Sequence, residues 1–232
     1  MRTGGVSAAP FDSLNSSGAV GDDPVAVSQN LSRLAAAAGV APERLLVVKQ
    51  VHGARVVEGV EASPELEADG LWTDVPGTAV GVRTADCLPI LIEDPRGRVA
   101  AVHAGWRGVI GQIVARAVEQ LVARGAVAAE LRVALGPCIQ RCCFEVDGDL
   151  PGRFEAAFGP EVIFRPQHTA KVHLDLSRAV GQTLARLGVP EGHVVALPHC
   201  TRCDVRFFSH RREHGITGRH LSFICCAGAS TL

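Results

Sequence analysis

Apolar residues change their spacing along the chain, and the changes mark out elements. Val109, Ile110, Ile113, Val114, Ala117, Val118, Leu121 and Val122 recur at helical spacing. They predict one helix that starts after Trp106 and ends at Gly125. Two more helices are marked by their ends. Asp23 is an N-cap residue, Pro24 suits the first helical position and Gly39 closes that helix. Asp175 caps the other, which reaches Leu187 and stops at Gly188. Short apolar runs at 45–49, 54–57, 79–83, 88–92, 98–102, 131–135, 194–197 and 221–225 read as strands. Residues 1–23, rich in Gly, Ser, Asn and Asp, read as turns and loops. There is no repeat, low-complexity tract or linker, so residues 1–232 form a single domain. Strands and helices mix without a regular βαβ rhythm, which predicts an α+β or mixed-sheet α/β sandwich.

One turn fixes a pair of strands. Asp94-Pro95-Arg96-Gly97 has Asp first, Pro second and Gly fourth. It folds 88–93 back on 98–103 as a hairpin. The expected register sets Glu93 opposite Arg98, Ile92 opposite Val99 and Leu88 opposite His103. Cys87 then lies beside His103 at the open end, and stays close even after a one-residue slip.

Composition narrows the functional classes. With 23 basic and 24 acidic side chains, the chain has no charge excess that would suit nucleic acid or an anionic membrane. No apolar run is of spanning length and no leading signal segment is visible, so the expectation is a soluble, cytoplasmic protein. The eight Cys are expected to be reduced, mostly as small core residues, because several lie in apolar segments such as Ile224-Cys225-Cys226.

Reactive side chains gather at the ends of predicted strands, in Lys49-Gln50-Val51-His52-Gly53, Thr84-Ala85-Asp86-Cys87-Leu88-Pro89 and Val102-His103-Ala104-Gly105-Trp106-Arg107-Gly108. Two imidazoles and a thiolate suit Zn²⁺, and three protein ligands leave one position open for water or substrate. The hairpin brings Cys87 to His103. Nothing local brings His52 there. From spacing alone a surface or capping His and a core Cys are the simpler explanation of these residues.

The same blocks carry a family resemblance. Gly4-Gly5-Val6-Ser7, Ser13-Leu14-Asn15, Val20-Gly21-Asp22-Asp23, Gln50-Val51-His52-Gly53, Ala68-Asp69-Gly70, Thr84-Ala85-Asp86-Cys87-Leu88-Pro89, His103-Ala104-Gly105-Trp106-Arg107-Gly108, Gly136-Pro137-Cys138-Ile139 and Phe207-Phe208-Ser209-His210-Arg211-Arg212 occur in order. Together they resemble the family long labelled laccase domain or multicopper polyphenol oxidase, later understood as purine nucleoside phosphorylases with adenosine deaminase activity. The resemblance spans nearly the whole chain. It implies a layered α/β/β/α sandwich with mixed sheets and zinc on His52, Cys87 and His103. It also implies purine nucleosides (adenosine, inosine, guanosine, methylthioadenosine) and phosphate as substrates, with base and ribose 1-phosphate as products. The family's Gly-Gly-Val-Ser block usually follows a longer N-terminal strand; here it begins at Gly4. The copper label fits the residues poorly. Nine His include no His-x-His pair, and the sole Met is Met1, so a blue-copper axial ligand is missing. Copper is expected only as an adventitious occupant.

Phosphorolysis requires an anion site. The loop 103–108 leads into a helix N-terminus beside Arg107, with Lys49 and Arg83 flanking the other ligands. Deamination requires an acid/base near activated water, for which Asp86 and Cys138 are candidates. His199-Cys200-Thr201-Arg202-Cys203 contains one Cys-x-x-Cys. It could be half of a metal site with Cys142 and Cys143, a redox pair, or loop and core thiols, and one pair alone favours the last. The competing reading of the main site is a cysteine hydrolase or deamidase with Cys87 as nucleophile and His103 as base. His168, His173, His193, His214 and His220 show no partner pattern.

Overall fold

The computed structural model describes residues 1–167 and 170–227; His168 lies outside them. Its helices and strands are, in chain order, α1 (Pro24–Ala38), β1 (Leu45–Leu46), β2 (Val56–Glu58), β3 (Gly70–Thr73), β4 (Thr78–Thr84), β5 (Leu88–Glu93), β6 (Val99–Ala104), α2 (Trp106–Ile110), α3 (Ile113–Ala123), β7 (Arg132–Leu135), β8 (Glu145–Val146), α4 (Leu150–Phe158), β9 (Ile163–Phe164), β10 (Val172–Leu174), α5 (Leu176–Arg186), β11 (Val194–Ala196) and β12 (His220–Cys226).

Six strands form a mixed sheet in the order β11-β7-β5-β6-β3-β2, and three form a second in the order β1-β4-β12. Alternation along the strands builds the layers. On β5 and β6, Leu88, Ile90, Ile92, Ala100, Val102 and Ala104 face a core shared with Ile113, Val118 and Leu121 of α3 and Val180 and Leu184 of α5. The opposite faces, with Leu71, Val99 and Ala101, pack on Val80 and Val82 of β4. Beyond that sheet, Leu34 and Ala35 of α1 pack on Ala79. The order helix, sheet, sheet, helix is the α/β/β/α layering that the resemblance implies. His103 falls on the inter-sheet side at the end of β6, where the strand stops and the layers open.

The helix ends at Asp23, Gly39, Asp175 and Gly188 form as expected. Asp23 accepts from the Val25 N–H at 2.9 Å, and Asp175 from the Arg178 N–H at 2.9 Å. Three expectations are corrected. The β5–β6 hairpin is shifted by one residue: Glu93 pairs with Val99, Ile92 with Ala100 and Leu88 with Ala104. Gly97 adopts φ +91°, its N–H bonds Asp94 O at 2.9 Å, and the Asp94 N–H bonds Arg98 O at 2.8 Å. That is a turn with an added left-handed residue, which lengthens the loop by one. Second, the helix after Trp106 is broken into α2 and α3, with Gln112 between them at φ +59°. Third, 45–49 is a strand only at β1, while Lys49 makes an isolated bridge with Glu67. The pattern also missed β3, the small β8-β10-β9 sheet and α4. Pro151 and Gly152 sit in the first turn of α4, where Pro is tolerated but reads as a breaker. All eight cysteines are free thiols.

Candidate metal centre and cleft

Asp69 organises the centre. It is fully buried at the entry to β3. Its carboxylate accepts the N–H groups of Val51 at 3.2 Å, His52 at 2.9 Å and Gly53 at 2.6 Å. These bonds hold His52 at φ +59°, a conformation that non-glycine residues adopt at a cost. The Gln50 side chain clamps the same loop to β4. Its amide accepts from the Arg83 N–H at 2.7 Å and donates to Arg83 O at 2.8 Å. Asp69 also bonds Nδ1 of His103 at 2.8 Å, which leaves Nε2 as the nitrogen free to bind. A carboxylate behind an imidazole fixes its tautomer and raises its basicity, as in many metal sites.

The ligand atoms of His52, Cys87 and His103 lie within 4.8 Å of one another. The two imidazoles stand edge to face, 4.9 Å apart. Burial raises the Cys87 thiol pKa, but hydrogen bonds from His103 and His52 bring it down to about 6. Burial lowers that of His103, but Asp69 and Cys87 raise it to about 9. Burial also works against the Asp69 carboxylate, yet His103 and the loop N–H groups hold it below the usual range. A thiolate and two imidazoles at this spacing fit a tetrahedral divalent cation with one position open. Gly105 leaves the needed room: a Cβ there would lie 3.2 Å from Cys87 Sγ and 3.4 Å from His52 Cδ2.

The centre borders a cleft of about 520 Å³, also lined by Arg83, Asp86, Phe144, His210, Arg211 and Arg219. Asp86, at φ +87°, does not present a free carboxylate. It accepts from Thr201 Oγ1 at 2.6 Å and from the Arg211 N–H at 2.7 Å, tying the 201 and 211 loops to the residue before Cys87. Cys138 is 1 % exposed and outside the cleft lining. Burial pushes its thiol up to about 12, so it is a protonated core group.

The basic residues separate into two kinds. Lys49 is at the rim and pairs with Glu67 at 2.9 Å. Arg107 is exposed and outside the lining, its guanidinium 4.5 Å from the Trp106 ring. It belongs to α2, which spans only five residues, too short for much dipole at its N-terminus. Arg83 and Arg219 line the cleft, and among the described residues neither pairs with a carboxylate. Arg83 Nε donates to Ser16 O at 2.8 Å, and Arg219 Nη1 to Thr217 O at 2.8 Å. Burial lowers the pKa of both, and for Arg219 the charges of Cys87 and Asp86 oppose that effect. Sequence reasoning assigned no role to Asp69, Gln50, Thr201 or Arg219. Asp69 could have been suspected from its place in the Ala68-Asp69-Gly70 block. The others are recognisable only once the loops are folded together.

Residues 1–227 match the family described as multi-copper polyphenol oxidoreductase laccase. A purine nucleoside phosphorylase of Deinococcus radiodurans is 41% identical over 220 residues, which cover 94% of this chain and 84% of that protein. An adenosine deaminase, RL5, from an unknown prokaryotic organism is 35% identical over 224 residues, covering 90% and 85%. The crystal structure of YlmD from Geobacillus stearothermophilus superposes with a TM-score of 0.90 at 35% identity, covering 97% of this chain and 89% of that one.

Proposed function

The chain belongs to the family described as multi-copper polyphenol oxidoreductase laccase, and we propose that it acts as a zinc-dependent purine nucleoside phosphorylase that also deaminates adenosine. The carrying observation is the cleft, in which the His52, Cys87 and His103 cluster lies beside the guanidinium groups of Arg83 and Arg219, neither of which pairs with a carboxylate among the described residues. The names of the relatives supply the nucleoside. Adenosine, inosine, guanosine and methylthioadenosine are the proposed substrates, with base and ribose 1-phosphate as products. A laccase needs several coppers. The described residues gather metal-binding side chains in two separate groups, one of two His and a Cys and one all thiol, which does not favour that chemistry.

Zinc on His52, Cys87 and His103 would supply a Lewis acid able to polarise a substrate oxygen or activate water. The chain's own residues supply the rest. Arg83 and Arg219 bind phosphate by charge-assisted hydrogen bonds, in place of the Arg107 and Lys49 contacts expected from sequence. A phosphate oxygen forms the bond to ribose C1′ as the bond from C1′ to the purine nitrogen breaks, and the departing base takes up the proton that monohydrogen phosphate gives up on becoming the ester. Asp86 is a positioning residue: it holds the Arg211 loop against the cleft. Phe144 offers an apolar surface on which a purine can lie.

The Cys87–His103 hydrolase is the competing reading, and its thiol and imidazole pKa values suit it as well. The presentation of His52 by Asp69 supports the metal, because a nucleophile–base pair does not require a second imidazole. The test uses Arg83→Gln and Arg219→Gln. Loss of a charged hydrogen bond costs roughly 1.5–3 kcal/mol, so KM for phosphate should rise about ten- to hundredfold while deamination is kept. Equal loss of both reactions in folded, zinc-loaded protein would contradict the phosphate assignment.

A further inference from the structure

Two loops that border the cleft, but whose sulfurs are not among its lining, bring four thiols together. Cys142 and Cys143 come from the turn after Gln140, and Cys200 and Cys203 from the turn that follows the Cys138–Cys200 bridge. Their sulfurs all lie within 4.8 Å of one another. Cys143 Sγ is 3.3 Å and Cys142 Sγ 3.8 Å from Cys203 Sγ. A disulfide would need about 2.05 Å. Four thiolates around a tetrahedral Zn²⁺, each about 2.3 Å from it, stand about 3.8 Å apart. The observed spacing matches the second arrangement.

Backbone donors also converge on one of the four sulfurs, that of Cys200. Cys200 Sγ accepts the Gln140 N–H at 3.5 Å, and the N–H groups of Arg202 and Cys203 also bond it. Such donors stabilise a thiolate. The Asp204 N–H closes the turn on Cys200 O at 2.9 Å. Arg212 then locks it from outside, with Nη1 donating to Thr201 O at 2.6 Å and Arg202 O at 3.1 Å. Cys143 and Cys200 are buried, while Cys142 and Cys203 are exposed. The sulfur pair with the least packing to hold it is therefore drawn in with the buried pair.

We propose that Cys142, Cys143, Cys200 and Cys203 bind a second zinc in a closed four-thiolate site. No open position remains, so the role is structural. The site joins the 140–144 turn to the 200–204 turn. The latter carries Thr201, whose hydroxyl donates to Asp86 beside Cys87. The second zinc thus holds the outer support of the cleft without touching substrate. The assignment does not depend on which reaction the cleft performs.

Metal analysis of protein purified from zinc-supplemented medium should give two zinc ions per chain. Cys87→Ala should leave one, and the double variant Cys142→Ser/Cys203→Ser should also leave one while keeping the cleft's metal. A second measurement needs no variant. If the site is filled, exposed Cys142 and Cys203 resist alkylation in native protein and become reactive after a strong chelator removes zinc, with no change in the intact mass of the metal-free chain. One zinc per chain in the unaltered protein, immediate alkylation of Cys142 and Cys203, a mass two hydrogens lower from a disulfide, or iron in the site would each overturn the proposal.

Discussion

The two thiol-bearing clusters of this molecule differ in what surrounds them. Around His52, Cys87 and His103 the chain adds a carboxylate behind one imidazole, a glycine that keeps space clear and a cleft holding unpaired cations. Around Cys142, Cys143, Cys200 and Cys203 it adds backbone N–H groups and loop closures, and none of the four lines the cleft. Three ligands with room beside them describe a centre that meets substrate; four ligands with none describe a staple. Number and setting of donors, more than the presence of cysteine, separate the two roles.

The largest effect should come from Cys87→Ala. Removing a ligand and its negative charge should empty the cleft's site and lower phosphorolysis and deamination by about a thousandfold or more. The pair Cys142→Ser/Cys203→Ser should instead leave turnover at 25 °C near normal and lower the melting temperature. If the serine pair abolished turnover in folded protein that kept its cleft metal, the division of roles would be wrong.

Asp69→Asn comes next. It keeps the shape but weakens the support of His103 and of the His52 loop. Loss of such an outer partner typically costs roughly 10- to 100-fold in metal affinity. Competition with a chromophoric chelator measures it, and unchanged affinity would deny Asp69 its part. Gly105→Ala should be milder. Its φ of −71° suits alanine, so only the 3.2 Å approach to Cys87 Sγ resists it. A cost of about 1–3 kcal/mol should appear as weaker zinc binding with little change in melting of the metal-free chain.

How far the sequence reveals the two clusters follows from how each is assembled. Cys87 and His103 belong to one hairpin, so a local turn brings them together even though the register was off by one residue. The slip came from Gly97, whose left-handed conformation adds a residue to the loop. His52 arrives through Asp69, across sheet neighbours that no local pattern announces, and it was placed only by resemblance. The layers were legible because strand alternation and helix caps are local. Cys200 and Cys203 are visible as a pair, and Cys142 and Cys143 are named as possible partners, but these lie about sixty residues earlier and nothing local favours the pairing over loop and core thiols; the Cys138–Cys200 bridge aligns the two loops. Arg107 is expected to hold phosphate because the 103–108 loop runs into a helix N-terminus and its guanidinium adds charge; that helix, α2, spans only five residues, and Arg107 lies outside the cleft lining. Arg219 drew no attention because its approach to Cys87 depends on β12 pairing with β4.

At neutral pH the effect of His220 is hidden and shows only in acid; the residue lies in neither cluster and checks that acid sensitivity is not theirs alone. Burial, aided by the N-terminal charge and Arg2, lowers its pKa to about 3, against about 6.5 in an unfolded chain. The group is neutral when folded, so its contribution is full above pH 6.5 and is lost as pH falls toward 3. His220→Gln should flatten the decline of melting temperature over that window, by at most about 1.4 kcal/mol per pH unit. Parallel curves for variant and unaltered protein would contradict this.

The central claim is that phosphate, and not water, cleaves the nucleoside in the cleft. The direct measurement incubates zinc-loaded protein with adenosine and phosphate carrying four ¹⁸O atoms and follows the sugar product by mass. The account predicts ribose 1-phosphate in an amount equal to the released bases, adenine plus the hypoxanthine that follows deamination, with all four labelled oxygens retained and none formed when phosphate is omitted. Release of free ribose at the same rate without phosphate, or no base release from any purine nucleoside, would contradict it.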